Sequence, residues 1–153
     1  MNVSKKQREE LRMMFGGKCA YCGDQLTEKG WHIDHCEPVG RYVKYGEMVI
    51  NSNGEREYVR YEKKRRMLDR PQNDHKGNLR PSCRLCNINK SSMPLERWRK
   101  FLMEGPESLA SYNGRFRHML RLGVVIVNPE PLMFWFEKYR ALVPEKENDG
   151  IVK

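Results

Sequence analysis

Apolar residues recur along the chain at two different periods, and the switches between them lay out most of the elements. Ser4 followed by Gln7 has the form of a capping box, and Leu11, Met14 and Phe15 then fall at helical spacing until Gly16 and Gly17 interrupt them. This predicts a short first helix. The period then drops to two: Trp31, Ile33 and His35 alternate with His32 and Asp34 between Gly30 and Pro38, the pattern of a short strand. GEMVINSNGEREYVRYE holds two half-apolar runs around Asn51 and Gly54 and predicts a β-hairpin within residues 40–70. A second short strand is expected at Asn78 and Leu79, followed by a helix that begins within CRLCNINK and carries Asn87 and Lys90 one turn apart.

Helical spacing returns after Pro94. Leu95, Trp98, Phe101 and Leu102 predict an amphipathic helix ending at Gly105. Leu109, Tyr112, Phe116, Met119 and Leu120 predict another over residues 108–122, with Gly114 in its interior and Gly123 as its cap. The runs VVIV and LMFWF are too short for periodicity to separate paired strands from segments packed under helices. Their aromatic residues are expected in the core rather than stacked on bases. The charged end, EKENDGIVK, is expected to be loose.

Length and composition fit one domain spanning residues 1–153, with 39% apolar residues to build a modest core, and the predicted strands and helices make it α+β. No apolar stretch approaches the roughly 20 residues of a membrane span. MNVSKKQREE lacks the apolar centre of a signal peptide, so a cytoplasmic setting and no membrane partner are expected. The net charge is +9, and residues 78–121 hold nine Lys and Arg against three Glu. That concentration suits a polyanion, with Arg80, Arg84, Lys90 and Arg97 as candidate phosphate contacts. The run Lys63, Lys64, Arg65 and Arg66 reads first as a solvated basic stretch.

Four of the five cysteines stand as two close pairs, Cys19 with Cys22 and Cys83 with Cys86. In a reducing cytosol such pairs are metal ligands more readily than disulfides. Each pair puts two thiolates on one tight turn, and four thiolates fill tetrahedral zinc with no position left for water. Zinc would therefore hold the fold while other residues do chemistry. Cys36 has no partner at ligand spacing and reads as a small buried side chain.

The segments I-D-H-x-x-P (Ile33, Asp34, His35, Pro38) and N-L-x-x-x-C-x-x-C-N-x-x-K (residues 78–90), with the flanking cysteines, resemble the HNH, or His-Me finger, endonucleases. The resemblance implies a ββα-metal finger core over residues 18–92, with structural zinc knuckles. Around it would stand an inserted β-hairpin over residues 40–70 and additional C-terminal helices over residues 93–145. It also implies hydrolysis of phosphodiester bonds in double-stranded DNA, with His35, Asn78 and Asn87 as the H, N and N. His35 suits a general base, because an imidazole in water titrates near about 6.5 and is largely neutral at neutral pH. Asp34 and Asn87 offer a carboxylate and an amide oxygen, hard ligands for Mg²⁺ or another divalent ion such as Mn²⁺. Asn78 matches the residue that braces the loop between the strands in proteins of this kind. Neighbouring strand residues point to opposite faces, so Asp34 and His35 can serve one site only where the strand ends or bulges. His32 and His75 stay outside the catalytic set.

The tail MFWFEKY, Met133 through Tyr139, is similar to the ends of small phage-type HNH proteins. That likeness implies a phage-encoded protein acting in the host cytoplasm near genome processing, with terminase or portal components as partners. A different class, a zinc-stabilised basic DNA-binding module without cleavage activity, would use the same cysteines and charge. It would have no need of the His–Asp pair or of Asn87.

Overall fold

In the computed structural model, which describes residues 3–143, Ser4 and Gln7 cap helix α1 (Lys5–Met13) reciprocally. The Ser4 hydroxyl accepts from the Gln7 N–H, and the Gln7 side chain accepts from the Ser4 N–H. Strand β1 (His32–His35) pairs antiparallel with β4 (Leu79–Ser82), setting Asp34 opposite Arg80 and His35 opposite Leu79. Between these strands come β2 (Arg41–Ile50), β3 (Arg56–Leu68) and 3-10 turns at Pro71–Asn73 and Lys76–Asn78, so Asn78, expected on the second strand, instead ends the turn that leads into it. Helix α2 (Arg84–Lys90) follows β4 directly, its first turn started by the Cys83 sulfur, which accepts from the Cys86 N–H. The outcome is a mixed α+β fold with two small antiparallel sheets.

β2 and β3 form the expected hairpin. Asn51 closes its tip, its Oδ1 accepting from the Asn53 and Glu55 N–H groups at 3.0 Å each. Pairing is broken by a bulge: Lys44 faces Arg65, whereas Gly46 faces Arg60, leaving residues 61–64 opposite Tyr45. Gly46 is required there, because a Cβ would come within 2.5 Å of the Val59 carbonyl oxygen.

The C-terminal third departs from the expected boundaries. Helix α3 (Leu95–Tyr112) runs through Gly105 and Pro106 instead of stopping. A proline inside a helix removes one backbone bond, but its fixed φ is itself helical, so continuation is possible at a cost. The break falls at Asn113, whose side chain accepts from the Phe116 N–H and so begins α4 (Gly114–Arg121). The single helix expected over residues 108–122 is therefore two. VVIV is no strand, with Val124 and Ile126 exposed. LMFWF instead enters the core and leads into α5 (Trp135–Leu142). Phe134 stacks on Trp98 with ring centroids 5.1 Å apart, and both pack with Tyr21, Phe15 and Phe136. These aromatics lie in the core, as expected, and EKENDGIVK lies outside the described residues. Among those residues no helix is long and apolar enough to cross a membrane.

Candidate metal centre and adjoining pocket

The two cysteine pairs are distant in sequence and meet at one point. The sulfurs of Cys19, Cys22, Cys83 and Cys86 all lie within 4.8 Å of one another. Zinc–sulfur bonds of about 2.3 Å in a tetrahedron require sulfurs about 3.8 Å apart, and Cys22 and Cys83 stand 3.8 Å apart. The Cys83 N–H points at the Cys19 sulfur at 3.3 Å, the kind of donor that favours a thiolate. The Cys19 thiol is held down to about 4, first by its hydrogen bond with Cys86. The same pairing with Cys19 pushes the Cys86 thiol up, and burial raises Cys22 to about 12. Four sulfurs so close cannot all ionise without a cation among them, and the cluster suits a structural metal such as zinc.

The knuckle is tied to α5 and to β4. Trp135 and Phe136 donate their N–H groups to the carbonyls of Tyr21 and Ala20 at 3.0 and 2.8 Å. The Trp135 ring covers Gly23, where a Cβ would meet it at 3.3 Å and where φ is +83°. Ala20 in turn donates to Pro81 of β4 at 2.8 Å. The cysteine cluster and the two-stranded sheet are thus one packed unit.

Beside this unit lies a pocket of about 620 Å³ whose lining includes Asp34, His35 and Asn87. β1 ends at His35, as the sharing of one site by neighbouring residues demands. Asp34 is 8% exposed and turns inward. Its Oδ2 accepts from the Tyr21 hydroxyl at 2.5 Å and pairs with the Lys90 ammonium at 3.2 Å. Burial, reinforced by the Asp34 carboxylate, pushes the Tyr21 hydroxyl far above the usual tyrosine range, so it remains a donor. His35, which lines the same pocket, has its Nε2 2.9 Å from Asp74 Oδ1. Asn87 lies on α2 with its side chain half-buried at the pocket wall.

Asn78 is buried and fully engaged. Its Oδ1 accepts from the Glu37 N–H at 2.8 Å, and its Nδ2 donates to the carbonyls of Glu37 and Asn73 at 2.7 and 2.8 Å. Its own carbonyl accepts from the Cys36 N–H. Asn78 thereby braces the turn that leaves β1 just beyond His35. Cys36 is buried, and that burial raises its thiol. His32 is exposed.

Two of the four candidate phosphate contacts are not on the surface. Lys90 has no exposed area, and its ammonium donates to the His35 carbonyl at 2.7 Å besides pairing with Asp34. Arg80 is buried, donating to the Gly77 and Leu79 carbonyls and lying 5.3 Å from the Phe136 ring centroid. Both are internal struts: backbone carbonyls take their donors, with the Asp34 carboxylate beside Lys90 and the Phe136 ring beside Arg80. Arg84 and Arg97 are exposed, as surface contacts would be.

Sequence reasoning passed over Asp74 and Tyr21. Asp74 sits 39 residues from His35, beyond the hairpin, in a polar turn with no pattern of its own. Tyr21, the aromatic inside the first Cys-x-x-Cys turn, was the more legible of the two. Comparison with protein-family models, with curated proteins and with solved structures finds no match for this chain.

Proposed function

We propose that the protein is a metal-dependent endonuclease of the HNH type, with β1, β4 and α2 as its ββα-metal finger and duplex DNA as its substrate. One observation carries this reading. Residues from two distant segments, the Asp34–His35 pair and Asn87, converge on one pocket held against a four-cysteine cluster. A site for hydrolysing a phosphodiester needs a proton acceptor, oxygen ligands for a cation and a way to align the attack. His35 is the acceptor. With the proton on Nε2 shared toward Asp74, Nδ1 is left to take one from water, and Asp74 orients the ring and favours the imidazolium that results.

Asp34 and Asn87 would hold the divalent ion. Asp34 Oδ2 is occupied by Tyr21 and Lys90, leaving Oδ1 as the ligand atom. A bound Mg²⁺ or Mn²⁺ would supply charge stabilisation at the scissile phosphate and the leaving oxygen. Lys90 fixes the floor of the site by gripping Asp34 and the His35 carbonyl together. Asn78 holds the turn behind His35. Terminase or portal partners and a phage setting rest on the tail segment alone, whose Phe134 and Phe136 are also accounted for by core packing.

The test is supercoiled plasmid incubated with zinc-replete protein, with and without Mg²⁺ or Mn²⁺. Conversion to open circles or linear DNA only when the divalent ion is present is the expected result. Binding of the plasmid with no cleavage under either ion would replace this reading with a zinc-stabilised DNA-binding module.

A further inference from the structure

We infer that the β2–β3 hairpin is a DNA-reading ribbon, one face of which enters the major groove of the duplex whose backbone lies in the pocket. This rests on the reading of the protein as one that acts on duplex DNA. Three observations support it.

The hairpin grows out of the pocket wall. Val39, Gly40 and Arg41 line the pocket, and the root is fastened where Arg70 and Asp69 donate to the Val39 and Gly40 carbonyls at 2.8 and 3.1 Å. Whatever backbone occupies the pocket must therefore pass alongside the hairpin.

Its outer half separates charge by face. Directly paired residues share a face, so Gly46 with Arg60, Met48 with Tyr58 and Ile50 with Arg56 lie on one side. Glu47 with Val59 and Val49 with Glu57 lie on the other. Both arginines of these five pairs thus sit on one face, and both of their glutamates on the opposite one, with Glu55 at the tip beyond them. Met48, Tyr58 and Ile50 on the basic face are 60%, 54% and 74% exposed. A merely solvated ribbon has no reason to carry large apolar side chains among cations while excluding every anion from that face. A major groove offers both partners, phosphates along its walls for Arg56 and Arg60 and base edges with thymine methyls on its floor for the apolar groups.

The dimensions agree. The face runs over Gly46–Ile50, five residues of β2, which at about 3.4 Å each reach roughly 17 Å, about half a turn of B-DNA. A two-stranded ribbon fits a major groove about 12 Å wide.

The experiment is fluorescence anisotropy of a labelled duplex of roughly 30 base pairs, about three helical turns, titrated with protein across a salt series without Mg²⁺ or Mn²⁺. Arg56→Glu with Arg60→Glu should weaken binding about tenfold or more and lower the slope of log affinity against log salt by about two. Arg56→Gln with Arg60→Gln, milder toward the ribbon's own folding, should reproduce the change in slope. Glu57→Gln, on the other face, should bind at least as tightly as the parent. Unchanged affinity and slope in both arginine pairs would overturn the inference. So would a dimer in sedimentation that Met48→Ser with Ile50→Ser dissociates while DNA affinity stays the same, which would assign the face to a second copy of this chain. Plasmid cleavage by the same preparations separates the two ideas. Cleavage by the parent with no effect of the arginine pairs defeats the ribbon alone, whereas ribbon-dependent binding without any cleavage defeats the nuclease reading alone.

Discussion

Lys90 has the charge of a phosphate ligand and the position of a core residue. Its ammonium is fully buried between the His35 carbonyl and Asp34, so removing it strands a carboxylate that is itself only 8% exposed. Lys90→Met is expected to cost about 3–5 kcal/mol in urea unfolding, the usual penalty for breaking a buried pair. Adding Asp34→Asn should recover part of the loss, and a mere phosphate contact would show neither effect. Tyr21→Phe removes the other donor to Asp34 and should cost about 1–3 kcal/mol. Asp74→Asn bears on chemistry instead: it keeps the size of the side chain but weakens the hold on the imidazolium. Plasmid cleavage should slow by about tenfold or more with KM little changed. At this scale the residue types of the candidate site, His35, Asp34, Asn78 and Asn87, were legible because each falls inside one of two short motifs, I-D-H-x-x-P and N-L-x-x-x-C-x-x-C-N. Burial was not. Nothing adjacent to Arg80 or Lys90 in sequence reveals that Phe136 and Asp34, from distant segments, would enclose them. Asp74 was hidden by the hairpin that separates it from its histidine.

Among the elements, the cysteine knuckle depends on a segment more than a hundred residues away. Trp135 packs on Gly23 and donates from its indole to the Phe15 carbonyl at 3.1 Å. Gly23→Ala meets both a positive φ and that ring, and should destabilise the fold by about 1–2 kcal/mol or more, read as a lower urea midpoint. Trp135→Ala should relieve the contact, so the double variant should lose less than the sum of the two single changes. The α1 cap, the first short strand and the hairpin were legible, because capping boxes, alternation and an Asn–Gly tip are signals carried by the element itself, whereas the second strand begins at Leu79 and leaves Asn78 in the turn before it. The stop expected at Gly105 was not realised, since a glycine followed by proline marks a breakpoint only where no better cap competes. Asn113, eight residues on, provides one. VVIV and LMFWF are both short apolar runs and meet opposite fates, exposed loop and core anchor, which tertiary partners decide.

For the whole molecule, the four-cysteine cluster joins segments that carry the candidate site on either side of the hairpin. Cys83 and Cys86 open the helix that presents Asn87, and the Cys19–Cys22 turn contains the tyrosine that holds Asp34. Stripping the metal with a strong chelator should therefore unfold the core as well as stop cleavage, seen as loss of near-ultraviolet dichroism at matched protein concentration. Re-adding zinc should restore both, while Mg²⁺ alone should restore neither. The most direct measurement is the single-turnover rate of plasmid nicking by His35→Ala against the parent, in Mg²⁺ and at equal zinc content per chain. The expected result is nicking by the parent and a loss of at least about a hundredfold in the variant, the lower range for a general base. Equal rates in the two proteins would contradict the placement of the reaction at His35.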